Sequence, residues 1–321
     1  MYGGFYMAFE DDLGYDPSQP GTQNFTIGAT EIVSRTLSIW SRRIIQYIII
    51  VGVVSVVSIT VSFIVLFGFF GLVGTIGADP ISYVIQFFLD PTMGSTLLIL
   101  FVGFGVLAFV LNAIVSGAAI KFTLDEYGGP GGNIGQSFSH SISRVVTIII
   151  VQLILGLIVA IVLTPATTFL LGALDMIDIS DPYNPIIPPQ ALESMMIGMV
   201  ILLFGGIFLI YLQVRLMPAL AVVIDTDSSA IDSLTRAWDL TSGKFFHVFG
   251  SYLLLGILVA VLGIAVSAIV AFIPVSEAYI PIIESIVVSL LFSALNYVYA
   301  VVLYRDLTSR TESSTLQDLM I

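Results

Sequence analysis

Apolar positions in this chain fall in long unbroken blocks. Cutting the sequence at its charged residues leaves six neutral runs, 44–78, 91–120, 145–174, 194–214, 245–276 and 285–304. Each reaches the roughly 20 residues that a helix rising about 1.5 Å per residue needs to cross about 30 Å of hydrocarbon. The pattern predicts six spanning helices, the longer ones tilted or extending into the interfaces.

Three shorter segments carry a different pattern, with apolar residues every three or four positions and polar ones between. They are GATEIVSRTLSIW from Gly28, NIGQSFSHSISRV from Asn133 and SAIDSLTRAWDLT from Ser229. Shifting the first by 201 positions, or the second by 96, lays it on the third. Gly28, Asn133 and Ser229 then coincide as helix N-caps. Glu31, Gln136 and Asp232 coincide three residues later, as in a capping box. Arg35, His140 and Arg236 coincide as well. The apolar sets Val33, Leu37 and Trp40; Ile134, Phe138 and Ile142; and Ile231, Leu234 and Trp238 each share one face, with Trp40 and Trp238 as interfacial anchors.

After each segment come an odd-numbered span, a loop, and an even-numbered span bearing an amide: Asn112, Gln213 or Asn296. The fold class expected is therefore all-α integral membrane. Its six transmembrane helices form three parallel repeats of cytoplasmic amphipathic helix, span, outer loop and span, about an axis along the membrane normal. The repeats run about 28–127, 133–227 and 229–308, within a membrane domain 28–308. Residues 1–27 form an acidic, aromatic tail expected to be disordered, and 309–321 a C-terminal tail.

Composition agrees with the membrane assignment. Hydrophobic residues make up 57% and charged ones 10%, against about 25% charged in soluble domains. The ten basic residues settle the predicted orientation: Arg35, Arg42, Arg43, Lys121, Arg144, Arg215, Arg236, Lys244, Arg305 and Arg310. With six alternating spans none falls in the loops 76–94, 175–194 or 275–284, so both termini are placed in the cytoplasm of a multi-pass plasma-membrane protein. The net charge of −12 argues against nucleic acid, and against anionic headgroups as general partners. There is no cysteine, and hence no disulfide or thiolate chemistry.

RAWDLTSGKFFHVFGSYLL, 236–254, with its Ala-Trp, its Leu two residues on and its Gly-Lys before a span, resembles the repeated segment of the membrane domain attached to some glycerophosphodiester phosphodiesterases. Similar segments occur in stand-alone prokaryotic, including archaeal, six-span proteins. The resemblance covers about 25–308 and implies a polytopic membrane region. In the attached form it also implies a separate catalytic barrel, whose acid, base and metal-binding residues have no counterparts here.

Enzyme motifs fail for stated reasons. His140 and His247 are far apart in sequence, without HExxH. No span has an Asp in its middle for an aspartyl dyad. Ser116 has no histidine deep in a span beside it. YGGPGGN, 127–133, lacks the Lys and Ser or Thr of a phosphate loop and reads as a flexible lead into the Asn133 cap. No cofactor or metal is expected. Asp225-Thr226-Asp227 and the acidic outer loops read as solvated or dipole-favouring carboxylates.

Asn112, Gln152, Gln213 and Asn296 either line a path for a polar solute or cross-link helices. Arg215 is either buried as a functional charge or snorkels to the interface, with Pro218 bending the chain beyond it. Gly250, Gly256, Gly263, Ala113 and Gly117 are expected to let helices approach closely. The functional expectation is a non-enzymatic accessory or scaffold protein organising lipid or protein partners at the cytoplasmic face. The alternative is a small-solute transporter or channel with a polar path between the even-numbered spans.

Overall fold

The computed structural model describes residues 26–52, 91–129, 131–177, 188–273 and 280–319, of which 91–101, 281, 282 and 313–319 are described by backbone alone. The tail 1–25, most of the first apolar run, most of the first outer loop and residues 181–187 of the DPYNPIIPP segment lie outside these residues.

Among the described residues the chain is all helix, without strands. The helices are α1 (Ala29–Arg42), α2 (Pro91–Gly128), α3 (Ile134–Asp175), α4 (Pro189–Leu216), α5 (Ala219–Thr226), α6 (Ala230–Thr241), α7 (Phe245–Val270) and α8 (Ile280–Leu319). Residues 44–52 are helical as well. Five helical stretches have the length and apolarity to cross a membrane: Val102–Gly128, Ile134–Asp175, Pro189–Thr226, Phe245–Val270 and Ile283–Glu312. The predicted first span, 44–78, lies mostly beyond the described residues.

Gly28, Asn133 and Ser229 are the N-cap residues of α1, α3 and α6, as the spacing predicts. The Asn133 side chain accepts from the Gln136 N–H at 3.1 Å. Ser229 Oγ accepts from the Asp232 N–H at 3.2 Å and donates to its carboxylate at 2.6 Å. Gly28 has no side chain to offer, so α1 begins without that bond.

The helix ends differ. α1 stops at Arg43, and α6 stops at Ser242, where Gly243 takes φ +72° and turns the chain into α7. α3 shows no such break and runs 42 residues from the cap onward. The expected division between amphipathic helix and span is therefore absent after the Asn133 cap, where ISRVVT holds no counterpart of the Ser242-Gly243 stop. At the other end, α4 stops at Leu216 and α5 starts at Ala219, with Pro218 between them. α8 continues without interruption to Leu319, so 308 is no boundary.

The core is concentrated where the chain returns from its even-numbered spans. Residues 113–124 of α2, 219–224 of α5 and 298–307 of α8 are largely buried, and these three segments pack on one another. Around them lie α1 against α8, α3 against α2 and α5, and α6 against α5. Farther along α3, α4 and α7, large apolar side chains such as Leu157, Ile161, Leu203, Phe204 and Ile264 are exposed.

The close crossing of α2 and α3 depends on Gly117. A Cβ there would lie 2.6 Å from Ile148 Cδ1, and it would also strike Ser141. Among the described residues nothing lies within 4 Å of a Cβ at Gly250, Gly256 or Gly263, so the close approach is seen at Gly117 and not at these three. They lie along α7, which is mostly exposed beyond its first turns.

Candidate polar layer at the basic end

Each of the three polar segments buries one face. α1 buries Ile32, Thr36 and Trp40; the start of α3 buries Ser137 and Ser141; α6 buries Ser233, Ala237, Leu240 and Thr241. Of the apolar sets expected to share one face, Ile142, Ile231 and Trp238 are exposed, whereas Val33, Leu37, Ile134, Phe138 and Leu234 pack partly against the core. Small side chains let these helices approach the return segments closely, and that contact pushes the largest apolar groups to the outside.

The two tryptophans accordingly differ. Trp40 is buried, donates through Nε1 to the Leu291 carbonyl at 3.0 Å and lies 6.0 Å from the Phe292 ring. Trp238 stays 37% exposed.

At the same end the charges pair among themselves. Arg43 meets Glu126 at 2.8 Å, Lys121 meets Asp125 at 2.7 Å, Arg305 meets Asp225 at 3.2 Å and Arg144 meets Asp227. Tyr304 also donates to Asp225, at 2.8 Å. Asp225 and Asp227 thus bind cationic side chains, and no group of three or more metal-ligating side chains occurs among the described residues.

Arg35 holds Glu31 at 2.6 Å and donates to the Tyr127 hydroxyl at 3.2 Å. Partial burial opposes the Arg35 charge, but the bonds to Tyr127 and Glu31 outweigh it and raise its pKa. His140 Nε2 lies 3.3 Å from the Ile224 carbonyl, while Arg236 is exposed.

One carboxylate lies outside every pattern read from the sequence. Asp306 is fully buried. Its carboxylate accepts from the Ile27 N–H at 2.8 Å and from Arg310 Nε at 3.0 Å, and it meets His247 Nε2 at 2.9 Å. Arg310 Nη2 also donates to the Ile27 carbonyl at 2.5 Å. Both backbone polar groups of Ile27 are therefore held by the last helix. Removing a carboxylate from water costs several kcal/mol, which only such complete pairing offsets.

Lys244 stands beside this cluster, 3.1 Å from Thr311 Oγ1. Burial, then repulsion from Arg310, lowers its pKa, with Asp306 opposing the shift. The i,i+4 spacing of Asp306 and Arg310 was visible in the sequence. Ile27 and His247, 279 and 59 residues away, were not.

Gly132 repeats part of this arrangement. Like Ile27 it precedes an N-cap, and its N–H donates to Glu126 Oε2 at 3.1 Å. A Cβ on Gly132 would lie 2.6 Å from the Phe122 ring and 2.8 Å from the Phe122 carbonyl oxygen. Gly129 and Gly131 both have positive φ, so the glycine-rich segment forms the tight turn that delivers Asn133 to its cap.

The amides considered for a polar path are not brought together. Asn112, Gln213 and Asn296 are each exposed, and no hydrogen bond joins any two of them among the described residues. Gln213 donates to the Tyr252 hydroxyl at 3.0 Å, and Gln152 donates to Ser116 Oγ at 3.2 Å, cross-linking α2 and α3. Arg215 is half-buried: Nε donates to Tyr211 at 3.2 Å, the guanidinium carbon lies 4.6 Å from the Trp238 ring centroid, and Nη1 is buried without a partner.

These features define an all-helical protein with several membrane-length apolar helices and a paired polar layer at one end. The chain belongs to the family described as a domain of unknown function (DUF7847), which matches residues 134–307, more than half of its length. No curated protein and no solved structure matches it.

Proposed function

We propose that this is a six-span integral membrane protein of the plasma membrane, built from three parallel repeats with both termini in the cytoplasm. It acts as a non-enzymatic accessory or scaffold, organising lipid or protein partners at the cytoplasmic face. The carrying observation is the surface of the polar layer: most of its basic side chains, Arg35, Arg43, Lys121, Arg144, Arg305 and Arg310, are held by carboxylates of the same chain, while Ile142, Ile231 and Trp238 of the polar segments project outward. A group that places a membrane-interface platform needs such an outer apolar rim, whereas catalysis needs reactive side chains left accessible.

The repeat reading is supported by burial. In the register read from the sequence, Ile32, Ser137 and Ser233 coincide and all are buried, as are Thr36, Ser141 and Ala237. Six spans are supported by parity. The bonds from Ile27 to Asp306 and Arg310 hold both ends of the domain on one side. A return to the same side takes an even number of crossings; five stretches do not supply it, and the apolar run 44–78 would. The membrane domain of some glycerophosphodiester phosphodiesterases offers an architectural likeness for such a ring, without its enzymatic activity.

Trp238→Ser tests the rim. The variant is expected to remain membrane-integrated after carbonate extraction and folded in detergent, but to lose co-purifying lipid or protein partners; unchanged recovery counts against the scaffold. Transport would replace it if reconstituted vesicles showed solute flux that disappears when Asn112, Gln213 and Asn296 are changed together to Leu.

A further inference from the structure

Four basic residues form no ion pair among the described residues, Arg42, Arg215, Arg236 and Lys244, and of these Arg215 alone has a buried side-chain nitrogen without a hydrogen-bond partner. Arg35, Arg43, Lys121, Arg144, Arg305 and Arg310 each have a carboxylate within ion-pair distance, whereas no ion pair is formed by Arg215 among the described residues. Its Nη1 has no hydrogen-bond acceptor although protein encloses it, which leaves a buried donor unsatisfied. Nε alone is engaged, by Tyr211.

The surroundings are aromatic. The guanidinium lies over Trp238, and Tyr211 sits 5.3 Å from Phe245, which in turn lies 5.5 Å from Phe246. Phe246 and Ile231 are among the most exposed large side chains, at 84% and 70%, and Ile231 shares the face of α6 that carries Trp238. One polar fork with an open bonding capacity thus borders an exposed apolar surface, in a zone where aromatic rings collect at membrane interfaces.

We propose that Arg215 binds the phosphate group of an anionic lipid, with acyl chains lying over Trp238, Ile231 and Phe246. The phosphate accepts from the Nη edge of the guanidinium, as planar forks favour, and supplies the partner that Nη1 lacks. Binding requires the whole planar fork to swing out of its enclosure by a side-chain rotamer change, exchanging the Nε bond to Tyr211 for bonds to the phosphate. The chain's overall acidity repels anionic lipid in general, so the site is single and local. The proposal rests on membrane insertion, part of the reading above, but not on the scaffold role.

The test uses the full chain. Carbonate extraction first establishes membrane integration, so that failure of that reading is recognised separately. The purified protein is then placed in nanodiscs of phosphatidylcholine, with or without phosphatidylglycerol, and retained lipid is read by native mass spectrometry alongside tryptophan fluorescence. Wild type is expected to retain phosphatidylglycerol about tenfold better than phosphatidylcholine. Arg215→Gln should abolish that preference and Arg215→Lys retain part of it, while inorganic phosphate should neither bind nor displace the lipid.

Equal retention of the two lipids by wild type overturns the proposal and needs no variant. So does an unchanged preference in a folded Arg215→Gln. Competition by inorganic phosphate at equal concentration would assign the site to a free anion and overturn the lipid.

Discussion

Asp306 is the residue whose chemistry the polar layer most requires. It ties Ile27, His247 and Arg310 in one cluster, so Asp306→Ala leaves the Ile27 N–H and Arg310 Nε without their acceptor. The expected loss is about 3–5 kcal/mol, read as a large drop in thermal stability in detergent. Asp306→Asn, which keeps the volume and one acceptor, should lose less, and equal stability of Asp306→Ala and wild type would remove the cluster's structural role. Gly132→Ala is expected to cost roughly 1–3 kcal/mol by the same measurement, because the new methyl meets both the ring and the carbonyl of Phe122. Trp40→Ser should likewise destabilise, having lost a buried ring and its bond to Leu291. Trp238→Ser should not, and equal thermal behaviour of the two variants would contradict the distinction between an inner and an outer tryptophan.

At the scale of elements, much was legible and the reasons for the misses are physical. The caps at Gly28, Asn133 and Ser229 were readable because capping is local: one side chain reaches an N–H three residues on. The breaks at Ser242-Gly243 and Pro218 were readable for the same reason. Gly243 at φ +72° supplies a conformation that a β-branched residue adopts only with strain, so Gly243→Val should destabilise by about 1–2 kcal/mol, whereas Gly243→Asn should be tolerated. Which side of each polar segment packs on the rest of the protein was not legible, because amphipathic spacing separates an apolar from a polar face without saying what each one meets. Here the neighbours are helices close enough that Ser, Thr and Ala fit and Trp238 does not. The amides were placed on the correct helices but not on their faces, and the pairs Arg144–Asp227 and Arg43–Glu126 depend on contacts between residues 83 positions apart in each case, which no local pattern carries.

At the scale of the whole molecule, the described helices gather at the basic end. The return segments 113–124, 219–224 and 298–307 form its centre, and Ile27 joins its first helix to its last. Apolar surface left exposed on α3, α4 and α7 suits lipid rather than water, in keeping with mean helix compositions that hold almost no charge. The central claim is that the chain crosses the membrane six times with both ends in the cytoplasm, and the absence of cysteine makes it directly measurable. Single cysteines at Thr30, Asp181 and Glu312 are probed with a membrane-impermeant maleimide in intact and permeabilised cells. The account predicts labelling of position 181 in intact cells, and of 30 and 312 only after permeabilisation. Labelling of 30 and 312 from opposite sides, or of both from outside, would contradict it.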